Sequence, residues 1–198
     1  GRQTIMEVVQ KASNPGFVIL GETLSKEKLF EYFYKLKKKK KTGVDLNGEG
    51  TGILFNLDKV GPVELATTAF GQGVSVTPIQ QITAVSAAIN GGTLYKPYIV
   101  KSLNEPETNT IIKENTPRKV GEVISKEASG NVRRALESVV TNGSGRSAYI
   151  EGYRVGGKTG TAQKVENGKY LYGNYIVSFM GVMPSNNPKV VVYIAIDN

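Results

Sequence analysis

The chain has 198 residues, with no cysteine, histidine or tryptophan. That length suits one core, or a large part of a bigger domain. Without thiols or imidazoles there are no disulfides, no His/Cys zinc sites and no Ser-His-Asp triad, so any acyl-transfer or hydrolytic chemistry must use lysine, carboxylate or hydroxyl groups. Lys plus Arg outnumber Asp plus Glu by 25 to 17, a net charge of +8, and five of the lysines form the run Lys37 to Lys41, without which +3 would remain. A pure lysine run reads as a solvated loop, whereas a nucleic-acid surface would interleave its basic residues with aromatics or glycines. The longest apolar stretch, residues 190–196, is far short of the ~20 residues that cross a bilayer. The opening Gly1-Arg2-Gln3-Thr4 is polar and is no signal peptide, so the chain reads as a soluble piece whose parent is free to be anchored.

In chain order, Ile5, Met6, Val8 and Val9 predict a short amphipathic helix that ends near Asn14-Pro15-Gly16. Ser25 is the expected hydroxyl cap of a second, charged helix. Residues 42–62 carry many glycines and predict a long connecting loop. Pro62 opens a short helix that Phe70-Gly71-Gln72-Gly73 interrupts; Thr77-Pro78 then caps and starts a core helix, which Asn90-Gly91-Gly92 terminates. Residues 95–103 and 110–112 predict strands joined by a polar turn, and Ser125 caps a long helix that runs to Asn142-Gly143. The last third predicts a strand over 154–163, a polar excursion over 164–173, and strands over 175–183 and 189–196. The expected fold class is α+β, an antiparallel sheet covered by helices.

One segment carries chemistry: Gly156-Gly157-Lys158-Thr159-Gly160-Thr161-Ala162-Gln163. A lysine among glycines on a strand lets a substrate lie along the backbone, with charge from Lys158 and hydroxyls from Thr159 and Thr161. The tripeptide alone is cheap, and Lys41-Thr42-Gly43 is a second copy that leads into a turn-like stretch rather than a strand.

Preceded along the chain by Asn14-Pro15-Gly16-Phe17 and then Phe70-Gly71-Gln72-Gly73-Val74-Ser75-Val76-Thr77-Pro78, the segment resembles the transpeptidase domain of class B penicillin-binding proteins, closest to the division and sporulation-specific members. The resemblance covers nearly the whole chain. It implies a serine-type D,D-transpeptidase of cell-wall synthesis, with peptidoglycan stem peptides and beta-lactams as partners, no nucleic acid, and neither metal nor organic cofactor. It also implies a parent anchored in the membrane, facing the extracytoplasmic side and associated with cell-wall synthesis proteins.

The family uses Ser-x-x-Lys, Ser-x-Asn and Lys-Thr-Gly motifs. The third maps onto Lys158, Thr159 and Gly160, which puts the Thr161 N–H in the oxyanion position and the Thr159 and Thr161 hydroxyls toward a substrate carboxylate. The second maps onto Ala12-Ser13-Asn14, with Asn14 as the catalytic amide and Ala12 where a proton-relay serine is expected. Ser13 and Gln163 complete the expected substrate contacts. Of the first motif the chain offers only Ser25 and Lys28, in the wrong order and on a charged surface helix. The resemblance therefore implies that the nucleophile precedes Gly1, and that the chain is the C-terminal two-thirds of one transpeptidase domain, incomplete at both ends. Two other readings predict different behaviour: a noncatalytic module binding D-Ala-D-Ala or beta-lactam rings, suggested by Ala12, and an anionic-polymer binder working through Lys37 to Lys41.

Overall fold

A computed structural model describes residues 1–197. Its N-terminal half is mainly helical: α1 (Ile5–Lys11), α2 (Asn14–Leu24), α3 (Lys26–Lys35), α4 (Pro62–Ala69) and α5 (Pro78–Ile89). Two antiparallel strand pairs follow, β1 (Thr93–Lys96) with β4 (Arg118–Glu122), and β2 (Ser102–Asn104) with β3 (Ile111–Glu114). The long helix α6 (Lys126–Asn142) then leads into a three-stranded antiparallel sheet of β5 (Gly156–Glu166), β6 (Lys169–Met183) and β7 (Val190–Asp197), in that order. Hydroxyl side chains close the helix N-termini as expected: Thr77 accepts from the Gln80 N–H in a capping box, and Ser125 accepts from the Ala128 N–H. The α+β class with helices against antiparallel sheets holds, although the strands divide among three sheets.

Four expectations change in the structure. Asn14-Pro15-Gly16 does not merely end α1. Ala12 turns the chain in a left-handed conformation (φ 51°), Ser13 caps a new helix, and Pro15 sits in its first turn, where a missing N–H costs nothing. Gly16 is required there, because an added Cβ would lie 2.5 Å from the buried Val8 side chain of α1.

Residues 95–103 form no single strand. β1 stops before Pro97, and the Asp45 carboxylate accepts from the Ile99 and Val100 N–H groups (2.7 and 2.9 Å) in the gap before β2. β1 pairs instead with β4, a strand the sequence pattern did not announce because four of its five residues are exposed.

The polar stretch 164–173 is no excursion. β5 and β6 run on through it and join at Asn167-Gly168, both at positive φ (50° and 75°), the geometry of a two-residue hairpin turn.

The lysine run is not uniformly solvated. Lys38 is buried, its ammonium bonded to Gln81 Oε1, and the fully buried Gln80 donates to the carbonyls of Lys37, Lys38 and Lys40 at 3.2, 3.1 and 2.8 Å. The Lys38 carbonyl is the buried one of the three and would be unsatisfied inside the fold without Gln80, whereas the Lys37 carbonyl also accepts from the Lys40 N–H.

The loop over 42–62 contains only a short 3-10 turn (Leu57–Lys59) and a β-bridge from Ile53 to Ser75. Packing holds it: Leu54 and Val60 join Phe30 in a buried cluster flanked by Leu29, Phe33, Phe55, Leu57, Leu65 and Val74. A second cluster, Ala87, Leu94 and Val123, ties α5 to the β1–β4 pair.

Candidate active site

β5 is an edge strand, bonded to β6 along one side only. Along its other side, the alternate N–H and C=O groups have no strand partner, which is the property a site needs if an extended substrate is to lie against it. The register sets Lys158 opposite Met180, Thr159 opposite Phe179, Gly160 opposite Ser178 and Thr161 opposite Val177. Alternation puts Thr159 and Thr161 on one face of the strand and Lys158 and Gly160 on the other, with the open edge between them.

Glycine is structurally necessary here. A Cβ on Gly160 would stand 2.6 Å from Ser178 Oγ, and one on Gly157 would run into the Phe179 ring. On the α6 side, a Cβ on Gly156 would come within 3.2 Å of the Leu136–Glu137 backbone, so β5 lies tightly against that helix. The approach to β5 is pinned by Arg154, whose guanidinium makes a two-pronged bond to the Glu137 carboxylate (2.9 and 2.8 Å). That bond holds the Glu137 carboxyl below the usual carboxylate range.

Lys158 is half-buried, and among the described residues no carboxylate pairs with it. Its ammonium donates to the Thr159 carbonyl at 2.9 Å, and burial pushes its pKa below the ordinary lysine value. A partly desolvated cation without a carboxylate partner, on a strand edge that also carries two threonines, is poised to hold an anion or to take part in proton transfer. Thr161 is exposed.

Ser144 is the residue that sequence reasoning missed. It lies 3.2 Å, hydroxyl to hydroxyl, from Thr159, while its backbone N–H donates to the Gln10 carbonyl of α1 at 3.0 Å. Ser144 thus links the end of α1 to β5. A signal was present in the glycines on either side: a Cβ on Gly143 would strike the Gln10 carbonyl, and Gly145 is buried.

The Ala12-Ser13-Asn14 segment forms the joint between α1 and α2, two residues beyond Gln10. Ser13 Oγ accepts from the Gly16 N–H at 3.4 Å, Asn14 is exposed in the first turn of α2, and Ala12 contributes no hydroxyl. Gln163 lies farther along β5, donating to the Leu171 carbonyl at 2.9 Å across the point where the β5–β6 register shifts.

Ser25 and Lys28 do not act as a nucleophile and base. Ser25 Oγ accepts the Lys28 backbone N–H as a helix cap, and the Lys28 ammonium is bonded to Glu31 at 2.9 Å. Among the described residues, no cluster of His, Cys, Asp or Glu is placed to hold a metal, and no helix is long and apolar enough to cross a membrane.

The fold defines a helix-and-antiparallel-sheet domain with a lysine and two threonines on an open strand edge. Comparison with known proteins places it further. The family model of the penicillin binding protein transpeptidase domain matches residues 1–198, and the chain belongs to that family. It is 63% identical over its whole length to stage V sporulation protein D of Bacillus subtilis. It is 31% identical, over 96% of its length, to the probable peptidoglycan D,D-transpeptidase PenA of Neisseria meningitidis. In both cases it spans 31% of the relative's length. Among solved structures, penicillin binding protein 3 of Mycobacterium tuberculosis complexed with ampicillin superposes with a TM-score of 0.92 at 31% identity, covering 98% of this chain and 45% of that one. The transpeptidase domain of Burkholderia pseudomallei penicillin-binding protein 3 superposes at 0.87 and 31% identity, covering all of this chain and 57% of that one.

Proposed function

We propose that the protein carrying this chain is a serine-type peptidoglycan D,D-transpeptidase, acylated by beta-lactams. The reading rests above all on one observation: in a chain of this family, the Lys158-Thr159-Gly160 motif lies on the open edge of β5 with the lysine half-buried and without a carboxylate. In this role Lys158 sets the field around the proton network, the Thr161 N–H donates to the developing oxyanion, and the Thr159 and Thr161 hydroxyls receive the substrate carboxylate. Asn14 holds the acyl side chain of the donor peptide, while Ser13, Gly160 and Gln163 complete the substrate contacts. A serine Oγ attacks the penultimate D-Ala carbonyl, the terminal D-Ala leaves with the proton, and an acceptor amine then takes the acyl group from the serine.

That serine belongs to a segment N-terminal to this chain, which makes the chain the C-terminal two-thirds of a single transpeptidase domain. Three features support this. The chain spans about half of the matched solved chains, and its one Ser-x-x-Lys is a helix cap. In addition, β7 leaves Val190, Val192, Ile194 and Ile196 at 49–63% exposure on one sheet face, an apolar surface of the kind another element covers. The parent is anchored in the cell membrane with this domain on its extracytoplasmic side, together with other cell-wall synthesis proteins. Division and sporulation roles both fit, and the 63% identity to a protein named for sporulation favours the latter.

Intact-mass spectrometry after incubation with a fluorescent penicillin tests the proposal, on this chain and on the full-length protein. An adduct on the full-length protein alone is the expected result. An adduct on this chain would place the nucleophile within it and overturn the domain assignment. No adduct on either would favour a noncatalytic module that binds D-Ala-D-Ala without turnover, the reading that Ala12 suggests.

A further inference from the structure

Away from β5, two cavities adjoin each other on the β1–β4 pair. One, of about 290 Å³, is lined by Lys37, Lys41, Thr42, Lys96, Arg118, Lys119 and Val120. Its neighbour, about 370 Å³, shares Lys96 and Arg118 and adds Lys113, with a floor of Pro97, Tyr98, Val100 and Leu103. Lys96 and Arg118 are register partners on the two strands, so their side chains stand directly opposite on one face. Like charges in that position repel and destabilise a strand pair. Neither has a carboxylate partner among the described residues, nor do Lys37 and Lys41; only Lys119 is paired, with Glu122. The one carboxylate in the lining, Asp45, is turned to the Ile99 and Val100 N–H groups.

The lysines are also held in place. Gln80 clamps the backbone at Lys37, Lys38 and Lys40, Lys37 sits at φ 59°, and the Lys96 ammonium lies over Gly43, where a Cβ would stand 3.7 Å from it. A row of cations without direct ion pairs, with Asp45 acting on Lys96 and Glu49 on Lys41 only through space, is an arrangement that binds a repeating anion, because each neutralised anionic group releases a condensed counterion. Two cavities joined through Lys96 and Arg118 suit a chain of charges rather than a single ion. Base stacking has little to rest on here, since Tyr98 is the only aromatic in either lining.

We propose that these joined cavities bind a linear phosphate-bearing polymer without bases, independently of the transpeptidase reading. The test is fluorescence anisotropy of labelled inorganic polyphosphate with the full-length protein, across a salt series. The comparison is between K96A/R118A and K39A/K40A, which removes the same charge from the exposed part of the run outside both linings. The expected result is saturable binding whose slope of log affinity against log salt falls by about 1 to 2 in K96A/R118A and by less in K39A/K40A. Thermal midpoints serve as the folding check, and K96A/R118A is expected not to lower its midpoint, because it removes a repulsion. If its midpoint does fall, the charge-preserving variant K96R/R118K replaces it, and retained binding by that variant supports the site. Four results would overturn the proposal: no binding of polyphosphate, equal loss in the two alanine pairs, equal affinity for single-stranded DNA of the same charge, or retention on anionic phosphatidylglycerol vesicles without polyphosphate binding.

Discussion

The chain carries the tripeptide Lys-Thr-Gly twice, and the two copies have different surroundings. At Lys41-Thr42-Gly43 the donors are already used: Glu49 accepts from the Thr42 N–H (2.5 Å), the Thr42 hydroxyl (2.6 Å) and the Gly43 N–H (3.0 Å), and Gly43 sits at φ 80°. At Lys158-Thr159-Gly160 the same residues lie in extended backbone on a sheet edge, and among the described residues no carboxylate pairs with the lysine. The copies differ in whether a carboxylate takes up the motif's donors or leaves them, bonded only to a carbonyl and a hydroxyl, in a place a ligand can reach. In the first copy Glu49 closes off Thr42 and Gly43, and Lys41 lines the cavity beside β1 and β4.

The largest expected effect separates the copies directly. Lys158→Ala in the full-length protein should slow penicillin acylation by about a hundredfold to a thousandfold, the scale seen when a preorganised electrostatic group is removed from an active site; stopped-flow acylation kinetics would check it. An unchanged rate would remove β5 from the chemistry.

Next in size is the clamp behind the first copy. Gln80→Leu leaves the buried Lys38 carbonyl without its partner and removes the acceptor of the Thr77 N–H, and should cost about 3 kcal/mol of stability in urea unfolding.

Lys38 itself is expected to act in the opposite direction. Burial pushes its pKa down to about 8, so between pH 8 and the ordinary value of 10.5 the unfolded chain holds the proton that the folded chain has released. Stability should therefore rise with pH through that window, and below it the folded protein carries the cost of a buried charge. Lys38→Met should abolish the rise and add about 2 kcal/mol at pH 7; unfolding curves at pH 7 and pH 9.5 would show both effects.

A matched pair then sharpens the contrast. Thr159→Ala should lower acylation about tenfold with little loss of stability, whereas Thr42→Ala should lose about 1 kcal/mol of stability and leave acylation unchanged. Smallest is Ser144→Ala, which frees the Thr159 hydroxyl from its one side-chain partner and should slow acylation about threefold, within the range of a single hydrogen bond. A larger loss would mean that Ser144 touches the substrate.

The sequence by itself determined what depends on neighbours along the chain. Thr77-Pro78, Ser125 and Pro62 fixed where helices begin, because a cap needs only the next turn. The apolar runs of 175–183 and 190–196 marked the strands, and the glycines about Lys158 marked the strand that carries the candidate site. Tertiary structure alone decided what depends on residues far apart. Lys38 is buried because Gln80 and Gln81, about 40 positions on, supply its partners, and no local pattern distinguishes it from Lys39. Ser144 joins the site because Gln10, more than 130 positions earlier, holds its backbone against Thr159. Local hydrogen bonds and side-chain patterns are written in adjacent residues; desolvation and long-range contact are properties of the packed chain, and they set one lysine half-buried on an open strand edge, one in the core, and others in the walls of a cavity.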